Sequence, residues 1–77
     1  MDRIKLQYRN DRKQFTIITL TRHGAYYAFF DTYETAIFYI QKLQPCTVFL
    51  DASLTDRSVY VRSITELGSI GIEIVRD

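Results

Sequence analysis

The chain has 77 residues, of which 47% are apolar and 25% charged, a composition that excludes a disordered segment and predicts a small globular protein. No apolar run approaches the roughly 18–20 residues that span a membrane, and no signal-like segment follows the first residues, so we expect a cytoplasmic protein without membrane contact. The net charge is +1, but residues 1–24 carry six basic and two acidic side chains, whereas the other residues carry four basic and seven acidic ones.

A chain of this length predicts one domain, covering residues 1–77. Its single cysteine, Cys46, excludes an internal disulfide and a zinc cluster built on cysteines. Because Cys46 directly precedes the apolar run at 47–50, we expect it to be a small buried hydrophobic residue.

The first part of the chain predicts three antiparallel strands in a meander. Apolar and polar residues alternate from Ile4 to Arg9, which is the period of a half-buried strand, and β-branched residues dominate the next run. Turn-forming residues separate the runs. The predicted strands cover residues 4–9, 14–21 and 25–30, with turns at 10–13 and 22–24.

The strongest helix prediction covers residues 31–43. Asp31 and Glu34 have the spacing of a capping box, in which side chains satisfy free backbone N–H groups at the helix start. Apolar residues recur on one face at helical spacing, and Pro45 ends the pattern. Phe38 lies on the polar side of this helix, so we expect it to be exposed.

Residues 46–51 predict a fourth strand that is apolar on both faces, as in the centre of a sheet, and residues 70–75 predict a final strand. The predicted fold class is therefore α+β, with a mainly antiparallel sheet packed on one well-defined helix at 31–43. The predicted order is β-β-β-α-β, then a second helix or a hairpin, then β.

The segment 53–67 fits two structures. As a helix it is capped by Ser53 with Asp56 three residues later, and Gly68 ends it. The apolar face of that helix would hold Leu54, Tyr60, Val61, Ile64 and Leu67. As a strand, residues 57–62 alternate well and have β-forming composition.

Both faces of the predicted meander are apolar, so the second face needs a cover. That face holds Ile18, Leu20, Tyr27 and Phe29. A helix at 54–67 would cover it, whereas a strand there would leave it bare and larger than the apolar patches that soluble monomers expose. For a bare face we expect a second copy of the chain as the cover, which predicts a homodimer.

The predicted function class is a small non-enzymatic regulator or inhibitor that acts by occupying the surface of another protein. Small regulators carried by phages and mobile elements have this size. We expect the partner to present an acidic surface, because the basic residues concentrate near the N-terminus. The predicted contacts are Tyr27, Phe29 and Phe38 on the apolar side and Arg9, Arg12, Lys13 and Arg22 on the basic side.

Nucleic-acid binding is the alternative. The basic hairpin around residues 9–13 would attract phosphate groups, and Tyr27 and Phe29 on an open sheet could stack on bases. A pI of about 7.9 argues against it, because nucleic-acid-binding domains are usually far more basic.

No catalytic, cofactor or metal motif is present in the sequence. His23 is the only histidine, and it lies in a predicted turn rather than in a pocket. The chain has no glycine-rich phosphate loop. We therefore expect no enzyme activity, no cofactor and no bound metal.

Overall fold

The structure of the protein, a computed structural model, describes residues 3–54 and 57–76, apart from the side chains of Arg57 and Tyr60. Within these residues the chain confirms the predicted α+β class. In chain order its elements are β1 (Arg3–Arg9), β2 (Gln14–Thr21), β3 (Gly24–Phe30), α1 (Tyr33–Leu43), β4 (Thr47–Leu50), α2 (Arg57–Gly68) and β5 (Glu73–Arg76). Of these described helices, neither has the length and apolarity that crossing a membrane requires.

The five strands form one mixed sheet in the order β3-β2-β1-β4-β5. The first three strands pair antiparallel, which confirms the predicted meander. β4 pairs parallel with β1, and β5 pairs parallel with β4. The prediction of a mainly antiparallel sheet is therefore only partly right. The last two strands are each reached through a helix, and such a crossover returns the chain in the same direction.

α1 begins two residues later than predicted and uses a different cap. Thr32 is the N-cap residue, and its side-chain oxygen accepts the N–H of Thr35 at 3.3 Å. The predicted capping box of Asp31 and Glu34 is therefore wrong. Glu34 lies in the first turn of α1 instead, and its Oε1 is 3.3 Å from Nη1 of Arg62 in α2.

The ambiguous segment forms a helix, α2, whose last residue is Gly68 as predicted. Its predicted apolar face is only partly right. Leu67 is buried, but Val61 and Ile64 are exposed, and the buried Leu54 lies before the helix begins rather than on its face. Asp56, the predicted capping partner of Ser53, and the side chain of Tyr60 lie outside the described residues.

The buried face of α2 includes a polar residue, Ser63, which the predicted apolar face does not contain. Ser63 is fully buried, and its hydroxyl donates to the carbonyl oxygen of Val59 at 2.8 Å. Its oxygen also lies 2.9 Å from the hydroxyl oxygen of Tyr33 on α1. Because its hydrogen bonds are satisfied, Ser63 can face the core, and the helix turns Val61 and Ile64 outward.

Both helices pack on the same face of the sheet. The hydrogen bond between Tyr33 and Ser63 joins them directly, and one hydrophobic core includes residues of both. α1 links β3 to β4 and α2 links β4 to β5, so both connections run in the same direction along the sheet between parallel strands. Right-handed crossovers that advance in one direction leave their helices on one side. The expectation that a helix near 54–67 would cover the second face is therefore wrong.

The expectation for Cys46 is also wrong, because this residue is exposed. It precedes β4 rather than lying in it, and its carbonyl oxygen accepts the N–H of Glu73 at 3.0 Å. The backbone of Cys46 thus extends the pairing between β4 and β5, while the thiol stays at the surface.

Leu67→Ala should lower the free energy of unfolding by about 2–5 kcal/mol, because a fully buried leucine in the core is lost. Ile64→Ala, on the same helix, should cost less than about 1 kcal/mol because Ile64 is 44% exposed. Urea denaturation followed by circular dichroism measures both variants. Equal losses would contradict the buried face that the structure assigns to α2.

Candidate functional site

The face of the sheet opposite the two helices, which we call the open face, is covered by no helix or strand of the described residues. Ile4 and Leu6 of β1 point into the core, so the alternating residues of β1 point to the open face. The strand register extends this assignment across the sheet. One continuous row on the open face consists of Tyr27, Ile18, Lys5, Phe49 and Val75.

The part of the open face formed by β2 and β3 is apolar and accessible. Leu20 is 46% exposed, Tyr27 61% and Phe29 51%. Ile18 lies half-buried between them, opposite Tyr27 in the register. Large apolar side chains that are contiguous and exposed mark interaction sites on soluble proteins. The structure therefore joins on one surface the four residues that the sequence pattern assigned to the second sheet face.

A polar network interrupts the apolar surface at the centre of the sheet. Lys5 Nζ lies 3.1 Å from Asp51 Oδ1, and the backbone N–H of Ser53 donates to Asp51 Oδ2 at 3.0 Å. The Ser53 Oγ accepts the N–H of Tyr8 at 3.0 Å. These contacts fix the segment after β4 to the neighbouring strand β1 and hold a charged pair in the middle of the open face.

The same network sets the ionisation of Asp51. Hydrogen bonds from the side chain and the backbone of Ser53 are the main cause that lowers the pKa of Asp51 to about 2, and the nearby Lys5 ammonium lowers it further. Asp51 is therefore a carboxylate at every physiological pH.

The predicted basic contacts separate into two places. Arg9, Arg12 and Lys13 lie together at the β1–β2 turn, where Arg9 Nη2 is 3.0 Å from Asp11 Oδ2. Arg22 lies in the β2–β3 turn at the other end of the sheet. The eight residues of β2 separate the two turns, a distance of about 26 Å at roughly 3.3 Å per residue.

Phe38 is 58% exposed, as predicted, but it lies on α1 and therefore on the opposite side of the molecule from Tyr27 and Phe29. Lys42 Nζ sits 4.7 Å from the centre of its ring. A shallow groove of about 510 Å³ runs beside it, between α1 and Phe30 of β3. A single flat partner surface cannot contact Phe38 and the open face together.

A cavity of about 370 Å³ lies on the helix side, where β1 and β4 end and α2 begins. Its described lining includes one carboxylate, Asp31, and the hydroxyl groups of Tyr8 and Ser53, with no histidine or cysteine. These described lining residues therefore contain no Ser–His or Cys–His pair. Nor do the described residues hold three His, Cys, Asp or Glu side chains close enough together for a metal ion.

Sequence patterns alone missed part of the open face. Phe49 and Val75 belong to it because β4 and β5 join the meander in a parallel register. The Lys5–Asp51 pair joins residues 46 positions apart in the sequence. The apolar run at 47–50 was a usable sequence signal for Phe49, because a strand that is apolar on both faces places Phe49 on the face opposite Val48 and Leu50. No local pattern indicated that Lys5 pairs with Asp51.

Comparison with known proteins names no function for this chain. No protein-family model, no curated protein and no solved structure matches it. The function must therefore be inferred from the chemistry of the described surface.

Asp51→Asn should make stability less sensitive to acid. The pKa of Asp51 is lowered from 3.8 to about 2 on folding, so the ionised carboxylate stabilises the fold above about pH 4. This contribution, at most about 2 kcal/mol, is lost as the pH falls from about 4 to about 2. The variant should be less stable than the wild type at neutral pH and should lose less stability across that window.

Thermal denaturation at a series of pH values measures this difference. Asp11→Asn is the comparison, because the Arg9 guanidinium also lowers the pKa of Asp11 but this pair is exposed and screened by solvent, so its loss should change the acid profile less than Asp51→Asn does. Parallel acid profiles for the wild type and Asp51→Asn would contradict the role of this network in stability.

Proposed function

We propose that the protein is a small non-enzymatic regulator or inhibitor that binds another protein through the open face. The observation that carries this proposal is the exposure of Leu20, Tyr27 and Phe29 on a sheet face that neither helix covers. Covering the exposed half of each of these side chains contributes about 1 kcal/mol per residue before association costs. Aromatic side chains of this kind are common energetic centres of protein interfaces.

The charges beside the apolar area favour a partner with acidic groups around an apolar patch. β1 lies next to β2, and its open-face residues include Arg3, Lys5 and Arg9. Arg12 and Lys13 extend this basic strip into the adjoining turn. Acidic groups at the rim of the partner would speed association and select the orientation, while the apolar contacts hold the complex.

The alternative, nucleic-acid binding, uses the same surface. Tyr27 and Phe29 stand beside the basic strip of β1, an arrangement that suits stacking of bases next to phosphate contacts. Two features favour a protein partner. Asp51 places a carboxylate in the middle of the strip. The net charge of +1 also gives weak long-range attraction for a polyanion.

Tyr27→Thr should weaken partner binding at least tenfold, because it removes the most exposed aromatic ring of the open face and keeps a β-branched residue in the strand. Tyr26→Thr is the matched control. Tyr26 is the neighbouring residue, is 60% exposed and points to the other side of the sheet. The immobilised wild type and both variants are compared by capture from a lysate of the source organism, with quantitative mass spectrometry.

A protein that the wild type and Tyr26→Thr retain, and Tyr27→Thr loses, is then purified and titrated with all three forms by calorimetry. Thermal denaturation of each variant confirms that it remains folded. If Tyr27→Thr binds the purified partner as tightly as the wild type does, the open face is not the binding surface.

Single-stranded DNA and RNA oligonucleotides should show no binding by fluorescence anisotropy at low salt. The Lys5–Asp51 pair and the low net charge leave too few free phosphate contacts for stable binding. Binding whose affinity falls steeply with salt concentration and is lost in Tyr27→Thr would replace the protein-binding role with the nucleic-acid role.

A further inference from the structure

The two edge strands of the sheet, β3 and β5, are built differently. β5 has four residues and carries the charged residues Glu73 and Arg76, both of which discourage pairing with another strand. β3 has seven residues, GAYYAFF, with no charge and no proline. It pairs with β2 through seven consecutive residues without a bulge. β3 therefore has none of the features that normally protect an edge strand.

The free side of β3 is also accessible. It stands at the end of the sheet, so no strand of the described residues pairs with the side that faces away from β2. Five of its seven residues are exposed. Tyr26 stands out from the helix side of this edge, and Tyr27 and Phe29 stand out from the open face. An edge of this length with aromatic residues on both faces is a template for another strand.

We infer that two copies of this chain pair antiparallel through β3, with Tyr27 of one copy facing Tyr27 of the other across a two-fold axis. Tyr27 is the middle residue of β3, so this register pairs all seven residues. The axis stands perpendicular to the sheet, which reverses the strand direction and leaves the two faces unchanged.

The side chains fit one another in this register. The pairs on either side of the axis are Gly24 with Phe30, Ala25 with Phe29 and Tyr26 with Ala28 of the second copy. Phe30, Phe29 and Tyr26 therefore stand opposite small residues, and Tyr27 forms an aromatic pair with Tyr27 of the other copy at the axis. Directly opposite side chains come within about 4.5–5.5 Å and stabilise the strand pair.

The charges at the two ends of β3 are complementary. Arg22 and His23 precede the strand, and Asp31 follows it, with Arg22 and Asp31 both exposed. Antiparallel pairing brings the basic start of one strand beside the acidic end of the other, and the two-fold axis makes this contact twice. Because β3 itself carries no charge, pairing it with its own copy brings no like charges together along the strand.

The area is adequate for a stable dimer. An aromatic side chain presents about 150–250 Å² in total, so the exposed parts of Tyr26, Tyr27 and Phe29 amount to roughly 300–400 Å² per copy. The backbone of the seven paired residues adds to this area. The total reaches the roughly 500 Å² per partner that a specific interface needs.

The resulting assembly is closed at two copies. It is a continuous ten-stranded sheet whose outer edges are the two short, charged β5 strands, so it does not extend further. Both helix pairs lie on one side, and both open faces lie on the other and form one larger surface. This inference does not rest on the proposed binding of a partner protein, since it concerns the strand edge.

The first test is the solution mass of the wild type, measured by light scattering after size exclusion in reducing buffer, because the exposed Cys46 could otherwise form disulfides. The expected mass is twice 9.1 kDa.

The second test uses disulfide formation in a Cys46→Ser background, in which a new cysteine has no other thiol within its own chain. The single variants are Ala25→Cys, Tyr26→Cys, Tyr27→Cys, Ala28→Cys and Phe29→Cys.

Under mild oxidation Tyr27→Cys should form covalent dimers at least tenfold faster than the other single variants. Only at the axis do identical residues come within the roughly 5.5 Å that a disulfide requires. A mixture of Tyr26→Cys and Ala28→Cys should form the mixed dimer, because these residues stand opposite each other on the helix side. That mixed product separates edge pairing from a dimer packed through the open faces, in which neither residue approaches the other copy.

A wild-type mass of 9.1 kDa at micromolar concentration overturns the inference. So does a dimer that fails to form the mixed product, or one whose fastest single variant is not Tyr27→Cys. None of these results changes the partner-capture comparison of Tyr27→Thr with Tyr26→Thr. Failure of the edge-pairing inference therefore does not decide the proposed function.

Discussion

The handedness of its two crossovers is the constraint on which the rest of this structure depends. β3, β4 and β5 run parallel and are joined in turn by α1 and α2, and both connections advance in one direction along the sheet. A right-handed connection can then place its helix on only one side. Both described helices therefore lie on one face of the sheet, and neither lies on the other.

A chain of 77 residues concentrates its packing on that covered face. The core residues of β1, β2 and β4 meet the buried faces of both helices in a single cluster. Aromatic residues are divided by the same geometry. Phe15 packs between Tyr8 and Tyr33, with ring centres 5.0 and 6.0 Å away, whereas Tyr27 and Phe29 remain on the open face. Because side chains alternate along β3, adjacent aromatic residues of this strand point to opposite faces of the sheet.

The open face combines two kinds of surface. Its β2–β3 half offers apolar area, and its β1 strip offers positive charge with one carboxylate, Asp51, held in place by Ser53 and Lys5. Apolar area contributes affinity but little orientation, whereas fixed charges contribute orientation and selectivity. A partner that binds here must match both, and this combination favours a specific protein surface over a general hydrophobic one.

Much of the local structure was predictable. The strands at 14–21 and 25–30, the turn at 10–13 and the exposure of Phe38 follow from alternation, turn-forming residues and helical periodicity, all of which act between near neighbours in the chain. The cap of α1 was misplaced by one residue because Asp31 and Thr32 are both good capping residues, and the local pattern does not rank them. The apolar face of α2 was misjudged because the burial of Ser63 depends on Tyr33, 30 residues away.

The sequence by itself determined that the chain forms the meander, α1 and two further strands, and that β2 and β3 carry apolar residues on both faces, but it left α2 open between a helix and a hairpin. Only the tertiary structure decided that β4 and β5 pair in parallel, that α2 joins α1 on one side, and that β3 is an unprotected edge. The physical reason is the range of the interactions. Periodicity and turn chemistry are settled within a few residues, whereas strand order and crossover handedness depend on pairings between distant parts of the chain, such as that of Lys5 with Phe49.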